Sequence, residues 1–299
     1  MTKLNNLEDK YWKKLDKIVI FGFGRQGKKM YSTLKRDFDI AAIVDNSLEK
    51  QGRQIDEHII LSFDQAVSFL QQYKIIVTTS QYYYQAIRGQ LSSIGLNEYV
   101  DYIMYQQFVT EWYYKYRNKV NVLKTDISLT TLCTLNCENC MQFLPYWKDG
   151  RRKENPLEEI KENVDIYFAC VDYLLDLDVV GGEPFLYRNL NEFIRYIGEN
   201  YRNRIGYIGF ITNGMIVPEE ETLELLSKYA MDVSISDYSE DIEYKHQIEK
   251  LCEKLEQYDI SYMRNKQIDW FDFGFPKDLY HYEGEAAVQH MQCCNSIEH

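Results

Sequence analysis

Three cysteines lie within eight positions of the segment CTLNCENC, at Cys133, Cys137 and Cys140, with no histidine or fourth cysteine nearby. Thiolates are soft ligands that suit zinc, copper(I) or iron–sulfur clusters. A structural zinc site normally has four protein ligands, whereas a [4Fe–4S] cube has four irons that each need one ligand. Three cysteines on a tight loop would hold three irons and leave the fourth open to a small molecule. The alternative is that the three cysteines bind zinc or bind no metal at all.

Polar motifs also follow the next three predicted strands. GGEP (181–184) follows LLDLDVV, TNG (212–214) follows IGYIGFI, and the strand DVSIS contains Ser234 and Ser236 and is followed by Asp237. Both serines should point to the same side of their strand, because side chains alternate along it. In parallel α/β folds the chemistry lies at the C-terminal ends of the strands. We therefore expect these motifs to share one rim with the cysteine loop.

A different motif opens the first part of the chain, in KIVIFGFGRQGKKMYSTLKRDFDIAAIVDN. It predicts a strand, a glycine turn, a helix and a second strand, the context required of the dinucleotide fingerprint GxGxxG. Gly22, Gly24 and Gly27 occupy its glycine positions, and Asp45 ends the second strand, where an acid can bind a ribose hydroxyl. The motif predicts a Rossmann-like sheet that binds a nucleotide, with NAD as one candidate. Alternatively, the glycines serve only the turn and close packing.

Predicted strands and helices alternate along the whole chain. KIIVTTS (74–80) is a further strand, with Ser80 as the cap of the next helix. In the second part, Asn155 is the predicted cap of a helix that starts at Pro156. Repeated strand–helix units favour a parallel sheet with helices outside, either open or curled toward a barrel. Cys170 and Cys252 stand among apolar neighbours in predicted helices and are interpreted as small core residues.

Composition limits the classes of function. The chain has 299 residues, enough for two domains, and a formal net charge of −12, which disfavours binding to nucleic acid or to an anionic membrane. No apolar stretch of about 18 residues predicts a membrane span, and the N-terminal residues lack the apolar core of a signal peptide. We therefore expect a cytoplasmic protein, whose seven cysteines do not form a disulfide framework.

The CxxxCxxC motif after a first barrel strand, with GGEP after the second, resembles the radical SAM superfamily. The resemblance covers about residues 123–265. It implies a partial (β/α) barrel after the Rossmann-like sheet. It also implies a [4Fe–4S] cluster whose open iron is chelated by the amino and carboxylate groups of S-adenosylmethionine. The reduced cluster would cleave the sulfonium and release a 5′-deoxyadenosyl radical, which abstracts hydrogen from a substrate.

The resemblance also implies roles for single positions. The cluster ligands would be Cys133, Cys137 and Cys140. The methionine amino group would bind the backbone carbonyls of the GGEP stretch and the Glu183 side chain. The other S-adenosylmethionine contacts would come from four residues: Asn139 near the adenine, Asn213 near the cofactor, and Ser234 or Ser236 at the ribose hydroxyls or the carboxylate. Many members of the family have an aromatic residue where this chain has Asn139.

The chain is predicted to divide into a Rossmann-like domain (1–105), a helical connector (106–122) and a radical SAM partial barrel (123–299). The first domain resembles small Rossmann-like modules attached to enzymes of sugar and surface-glycan pathways. That analogy suggests a small nucleotide-linked or sugar-like substrate, and the radical SAM resemblance implies an electron donor such as flavodoxin or ferredoxin. Cys293 and Cys294 could begin an auxiliary iron–sulfur site. The alternative is a non-catalytic nucleotide-binding accessory protein with a structural zinc site.

Overall fold

The chain forms two β-sheets in the computed structural model, which describes residues 7–137, 140, 142–146, 152–239 and 243–266. The strands of the first sheet are β1 (Lys17–Phe21), β2 (Asp39–Val44), β3 (Gln54–Ile55), β4 (His58–Leu61), β5 (Lys74–Val77) and β6 (Tyr102–Met104). Those of the second sheet are β7 (Asn121–Ser128), β8 (Tyr173–Val180), β9 (Ile205–Thr212), β10 (Asp232–Asp237) and β11 (Tyr262–Lys266).

Helices connect most of these strands. In the described part of the chain the α-helices are α1 (Asp9–Trp12), α2 (Arg25–Leu34), α3 (Phe63–Gln72), α4 (Gln81–Ser93), α5 (Tyr105–Gln107), α6 (Tyr113–Arg117), α7 (Leu157–Cys170), α8 (Leu190–Asn200), α9 (Glu220–Lys228) and α10 (Lys245–Gln257). A π-helical turn joins α5 to α6, and three short 3₁₀ turns lie in the second half. None of the described helices is both long and apolar enough to cross a membrane.

The first sheet has the strand order β3-β4-β2-β1-β5-β6. β1 pairs in parallel with β2 and with β5, and β3 is antiparallel to β4 at the edge. Ile18 and Ile20 of β1 are buried in one core, whereas Val19 and Phe21 are buried in another. Burial on both faces explains why this strand is an uninterrupted apolar run. The parallel pairing confirms the predicted α/β class and agrees with a Rossmann-like fold.

The second sheet has the order β7-β8-β9-β10-β11. β10 pairs in parallel with both β9 and β11, and its residues alternate between partly exposed and buried. Ile235 is buried on the side where Ile248 of α10 packs, because a Cβ added at Gly214 would touch both side chains at 3.0 Å. Helices outside a parallel sheet confirm the predicted α/β class and agree with a partial barrel.

The contacts divide the chain into two compact units. One contains residues 1–125, 164–177 and 202–207; the other contains 126–163, 178–201 and the described chain from residue 208. The domain boundaries given by the sequence stay a prediction.

Several local predictions differ from the structure. The connector is helical only to Arg117, and β7 already begins at Asn121. Ser80 does precede α4, but its side chain makes no capping hydrogen bond. α7 begins at Leu157, one residue after the predicted start at Pro156, and the Asn155 amide donates to the Ser128 carbonyl at 2.8 Å.

Of the two helical cysteines that were interpreted as core residues, Cys170 is exposed and Cys252 is half-buried. That interpretation is therefore wrong for Cys170, which ends α7 on its solvent side.

Candidate functional site

The cysteine loop follows β7, and Cys133, Cys137 and Cys140 are all half-buried. A tight turn brings the second and third together, because the Cys140 N–H donates to the Cys137 carbonyl at 3.2 Å. Burial raises the pKa of the Cys133 thiol, the Leu135 N–H opposes this, and nearby negative charge from Glu183 and the other two cysteines raises it further. The three thiols therefore lie within electrostatic range of one another.

The residues present fit an iron–sulfur cluster by the chemistry of their donor set. Three thiols from one loop lie near enough to influence one another's pKa, and thiolates are the usual ligands of such clusters. Within the described residues, no group of three His, Cys, Asp or Glu side chains converges on the position of a single metal ion.

Two glycines let the GGEP stretch lie directly against the cysteine loop. The Gly182 N–H donates to the Thr130 carbonyl, and the Glu183 N–H donates to the Leu132 carbonyl, both at 2.7 Å. A Cβ added at Gly182 would lie 2.1 Å from the Leu132 oxygen, and one added at Gly181 would lie 2.7 Å from the Thr130 oxygen. Any larger residue would separate these two segments.

The carboxylate of Glu183 is fully buried beside this contact. It accepts hydrogen bonds from the Thr212 hydroxyl at 2.8 Å, the Asn213 N–H at 2.9 Å and the Phe185 N–H at 3.2 Å. Burial raises the pKa of Glu183 to about 7, although these three donors lower it. Glu183 thus ties the end of β8 to the end of β9, and its predicted contact with a ligand stays a prediction. Pro184, also buried, starts the 3₁₀ turn that follows.

Asn213 lies against the first cysteine. Its Nδ2 is 3.6 Å from Cys133 Sγ and donates to the Thr134 hydroxyl at 2.9 Å. Its Oδ1 accepts a hydrogen bond from the Met215 N–H at 3.0 Å. The predicted proximity of TNG to the cysteine loop is therefore present in the structure.

Ser234 and Ser236 share one face of β10, and the Asn265 amide of β11 donates to Ser234 Oγ at 3.4 Å. Asp237 points the other way and is held by Arg264, whose Nε lies 2.6 Å from Asp237 Oδ2. The serines therefore line the side of the sheet opposite α10, while Asp237 serves a structural ion pair.

Two tyrosines complete the site after β10. Burial raises the pKa of Tyr238, a Ser236 hydrogen bond lowers it, and the charge of the three cysteines, which lie within electrostatic range, raises it further. The Tyr244 hydroxyl donates to the Asn213 carbonyl at 2.9 Å and accepts from the Tyr238 N–H at 3.0 Å. Tyr244 thus joins the loops after β9 and β10.

Arg152 holds the cysteine loop from its other end. Its guanidinium donates to the Asn136 side chain at 2.6 Å and to the Leu144 carbonyl at 2.7 Å. Both acceptors belong to the segment that carries the cysteines, so Arg152 fixes the course of that segment.

The sequence did not single out Thr134, Tyr238 or Tyr244 as site residues. Only the placement of Thr134 beside Cys133 and of Tyr238 after DVSIS could have suggested them. The predicted adenine contact at Asn139, and Cys293 and Cys294, lie outside the described residues.

The glycine motif of the first sheet forms a separate candidate site. Gly22 has φ +104°, and a Cβ added at Gly27 would lie 2.0 Å from the Gly22 carbonyl oxygen, so both positions require glycine. At Gly24 the nearest atom to an added Cβ is Lys50 Nζ at 3.9 Å. Gly24 therefore faces open space, as a ligand-binding loop would need.

Asp45 lies beside this loop and is almost fully buried. Its carboxylate accepts from the Phe23 N–H at 2.5 Å, the Ser47 N–H at 2.8 Å and Lys50 Nζ at 3.1 Å. The acid predicted to bind a ribose hydroxyl thus already holds the glycine loop of its own chain.

Two family models match the chain. The model described as "Radical SAM superfamily" matches residues 127–258. The model described as "C2185-like, N-terminal" matches residues 14–100.

Curated relatives match part of the chain. Over 128 residues it is 31% identical to the GTP 3′,8-cyclase of Alkaliphilus oremlandii, covering 42% of this chain and 38% of the relative. Over 113 residues it is 26% identical to the antilisterial bacteriocin subtilosin biosynthesis protein AlbA of Bacillus subtilis, covering 38% and 23%. The chain therefore spans less than half the length of either relative.

Solved structures are similar over limited regions. Native anSMEcpe with bound AdoMet is 18% identical, with a TM-score of 0.37, and covers 48% of this chain and 43% of that one. The Rex-family repressor RSP is 18% identical, with a TM-score of 0.25, and covers 28% and 44%. The assignment does not depend on these two. The family model that spans the cysteine loop, GGEP, TNG and both serines identifies residues 127–258 as a region of the radical SAM superfamily.

Proposed function

We propose that the chain binds a [4Fe–4S] cluster through Cys133, Cys137 and Cys140 and cleaves S-adenosylmethionine to abstract hydrogen from a small-molecule substrate. The observation that carries the proposal is the contact of Cys133 with the GGEP stretch and with Asn213, in a loop that holds two further half-buried thiols. When bound, the reduced cluster supplies the electron that splits the cofactor into methionine and a substrate-activating radical. The chain's own residues supply binding, orientation and shielding from water.

The GGEP stretch would hold the methionine end of the cofactor. Its glycines keep this backbone against the cysteine loop, so the carbonyl groups of Gly181 and Gly182 are candidates for the methionine amino group. Glu183 would act mainly by fixing the ends of β8 and β9, because three donors of its own chain already engage its carboxylate.

Ser234 and Ser236 would bind the ribose hydroxyls or the carboxylate of the cofactor. They are partly exposed on one face of β10, and hydroxyl groups can both donate to a carboxylate and pair with a ribose hydroxyl. Tyr238, near the thiols, would help to exclude water from the cluster. Asn139 would supply backbone contacts to the adenine.

For the substrate, the proposal is a nucleotide-linked or sugar-like small molecule. The relatives named GTP 3′,8-cyclase support a nucleotide. The first sheet would bind a nucleotide of its own through Gly22, Gly24, Gly27 and Asp45, with NAD as one candidate ligand. We further propose a cytoplasmic location and an electron donor such as flavodoxin or ferredoxin.

The test is anaerobic incubation of the reconstituted chain with a reductant and S-adenosylmethionine, followed by measurement of 5′-deoxyadenosine. A panel of nucleotide sugars and peptides then identifies the substrate by its consumption. Formation of 5′-deoxyadenosine that requires Cys137 supports the proposal. Stoichiometric zinc without iron or sulfide would instead support an accessory protein with a structural metal.

A further inference from the structure

The amide of Asn213 is oriented with its NH₂ group toward Cys133. The Met215 N–H donates to Asn213 Oδ1 at 3.0 Å, and only the oxygen of an amide can accept that bond. The NH₂ group is thereby left to face the Thr134 hydroxyl at 2.9 Å and Cys133 Sγ at 3.6 Å. The orientation of the amide thus follows from the hydrogen-bond network around it.

The backbone of Asn213 is fixed from both sides as well. Its N–H donates to the buried Glu183 carboxylate at 2.9 Å, and its carbonyl accepts from the Tyr244 hydroxyl at 2.9 Å. The residue itself is only 8% exposed. A hydrogen bond in such a poorly solvated place is electrostatically stronger than one in water. The donor that faces Cys133 is therefore held in place before any cluster binds.

Cys133 receives a second donor from its own loop, since the Leu135 N–H lies 3.4 Å from its sulfur. Hydrogen bonds to cysteine sulfur are among the factors that set the reduction potential of an iron–sulfur cluster. They stabilise the reduced state more than the oxidised state, because reduction adds negative charge that spreads onto the sulfur ligands. Reduction transfers one electron from an external one-electron donor to the cluster, and no bond or proton has to move.

We propose that Asn213 is a positioning residue that raises the reduction potential of the cluster by donating a hydrogen bond from Nδ2 to the Cys133 sulfur. This inference rests on the proposed function, because it requires a cluster on the three cysteines. It assigns Asn213 a task that does not depend on contact with S-adenosylmethionine. The effect should therefore be measurable without cofactor or substrate.

The test compares the reconstituted parent chain with Asn213→Ala in a redox titration followed by electron paramagnetic resonance, with dithionite as reductant and no S-adenosylmethionine. Loss of the donor should lower the ratio of reduced to oxidised cluster about tenfold at a fixed potential, a shift of about 59 mV for a one-electron couple. Iron and sulfide contents should equal those of the parent chain. An unchanged midpoint potential in the loaded variant would overturn the inference.

Two further variants distinguish a direct effect on the reduction potential from damage to the cysteine loop. Thr134→Val removes the hydroxyl partner but keeps the amide donor, so its midpoint should stay near that of the parent; a shift as large as that of Asn213→Ala would contradict the inference. Asn213→Asp keeps the acceptor for the Met215 N–H and removes the NH₂ group, so its midpoint should also fall. If both Asn213 variants fold but load no cluster, the residue is structural and the inference fails. A parent chain that takes up no cluster would refute the proposed function itself.

Discussion

Asp45 and Glu183 occupy equivalent places in two different sheets. Each is a buried acid just beyond a buried parallel strand, and each was predicted to contact a ligand. Within the chain each carboxylate accepts three hydrogen bonds, and two donors in each set are backbone N–H groups. In both sheets the acid thus organises a loop at the strand ends.

The two acids differ in the charge around them. Asp45 has Lys50 Nζ at 3.1 Å, whereas the three donors to Glu183 in the described structure are neutral groups. Burial accordingly raises the pKa of Glu183 to about 7. The cysteine loop beside Glu183 carries three thiols, whereas the glycine loop offers mainly backbone and open space at Gly24. The difference teaches that the second sheet brings thiols to its strand ends, whereas the first presents a backbone turn.

The largest expected effect comes from a cysteine ligand. Cys137→Ala should abolish 5′-deoxyadenosine formation, because a three-cysteine loop that loses one thiolate cannot hold the cluster firmly. The measurements are iron content and product formation under anaerobic conditions. Cys170→Ala is the matched control, since this cysteine is exposed at the end of α7 and should leave both quantities unchanged. Product formation by Cys137→Ala at the parent rate would refute the ligand assignment.

Glycine substitutions should separate the two sheets. Gly182→Ala would place a Cβ 2.1 Å from the Leu132 oxygen, so the cysteine loop must move and cluster loading should fall severalfold. Gly27→Ala would place a Cβ 2.0 Å from the Gly22 oxygen and should lower the stability of the first sheet by about 1–3 kcal/mol. The measurements are iron content and thermal unfolding of both variants.

The control for these substitutions is Gly89→Ala, because nothing lies within 4 Å of a Cβ added in the middle of α4. It should be neutral or stabilising by about 0.5–1 kcal/mol. If Gly27→Ala impaired cluster loading as strongly as Gly182→Ala, the proposed division of roles between the loops would be wrong.

Substitution of the two acids should have a smaller effect. Glu183→Gln turns one acceptor into a donor that faces Thr212 or a backbone N–H, and should destabilise the metal-free chain by about 1–3 kcal/mol. Asp45→Asn should lower the free energy of unfolding by less, because the Lys50 side chain is about one-third exposed and can turn to water. Unfolding in urea measures the free energy of unfolding of both variants. Equal stability of Glu183→Gln and the parent chain would show that the Glu183 contacts contribute little.

The smallest effect is expected at Arg152. Arg152→Lys removes the planar fork that binds Asn136 and the Leu144 carbonyl together, but it keeps the charge. The cysteine loop should become looser, so the cluster should be lost a few times faster to a chelator. Lys161→Arg, on α7 beside the exposed Glu158 with which it forms an ion pair, is a control that should leave the rate unchanged. A rate equal to that of the parent in Arg152→Lys would exclude a role in holding the loop.

The sequence predicted those features that depend on local pattern. Buried strands such as KIVIF and LLDLDVV, the helix after Ser80 and the glycine turn at Gly22 follow from apolar runs and from residues with special backbone freedom. The rim of polar motifs followed from the rule that parallel strands share a direction. These predictions needed no knowledge of which distant side chains meet.

The remaining features depend on contacts between distant parts of the chain. Whether Glu183 faces a ligand or the Thr212 hydroxyl depends on a residue 29 positions away, which no local pattern encodes. The link from Tyr244 to Asn213 and the anchoring of the cysteine loop by Arg152 are of the same kind. The hydrogen bond from the Asn155 amide to the Ser128 carbonyl likewise joins residues 27 positions apart.

The central claim is that the three thiols hold a cluster with one iron left for S-adenosylmethionine. The direct measurement is electron paramagnetic resonance of the anaerobically reconstituted and reduced chain, recorded with and without S-adenosylmethionine, together with iron and sulfide analysis. The account predicts about four irons and four sulfides per chain and a spectrum that changes when S-adenosylmethionine is added. A chain that stays free of iron, or a cluster whose spectrum S-adenosylmethionine leaves unaltered, would contradict it.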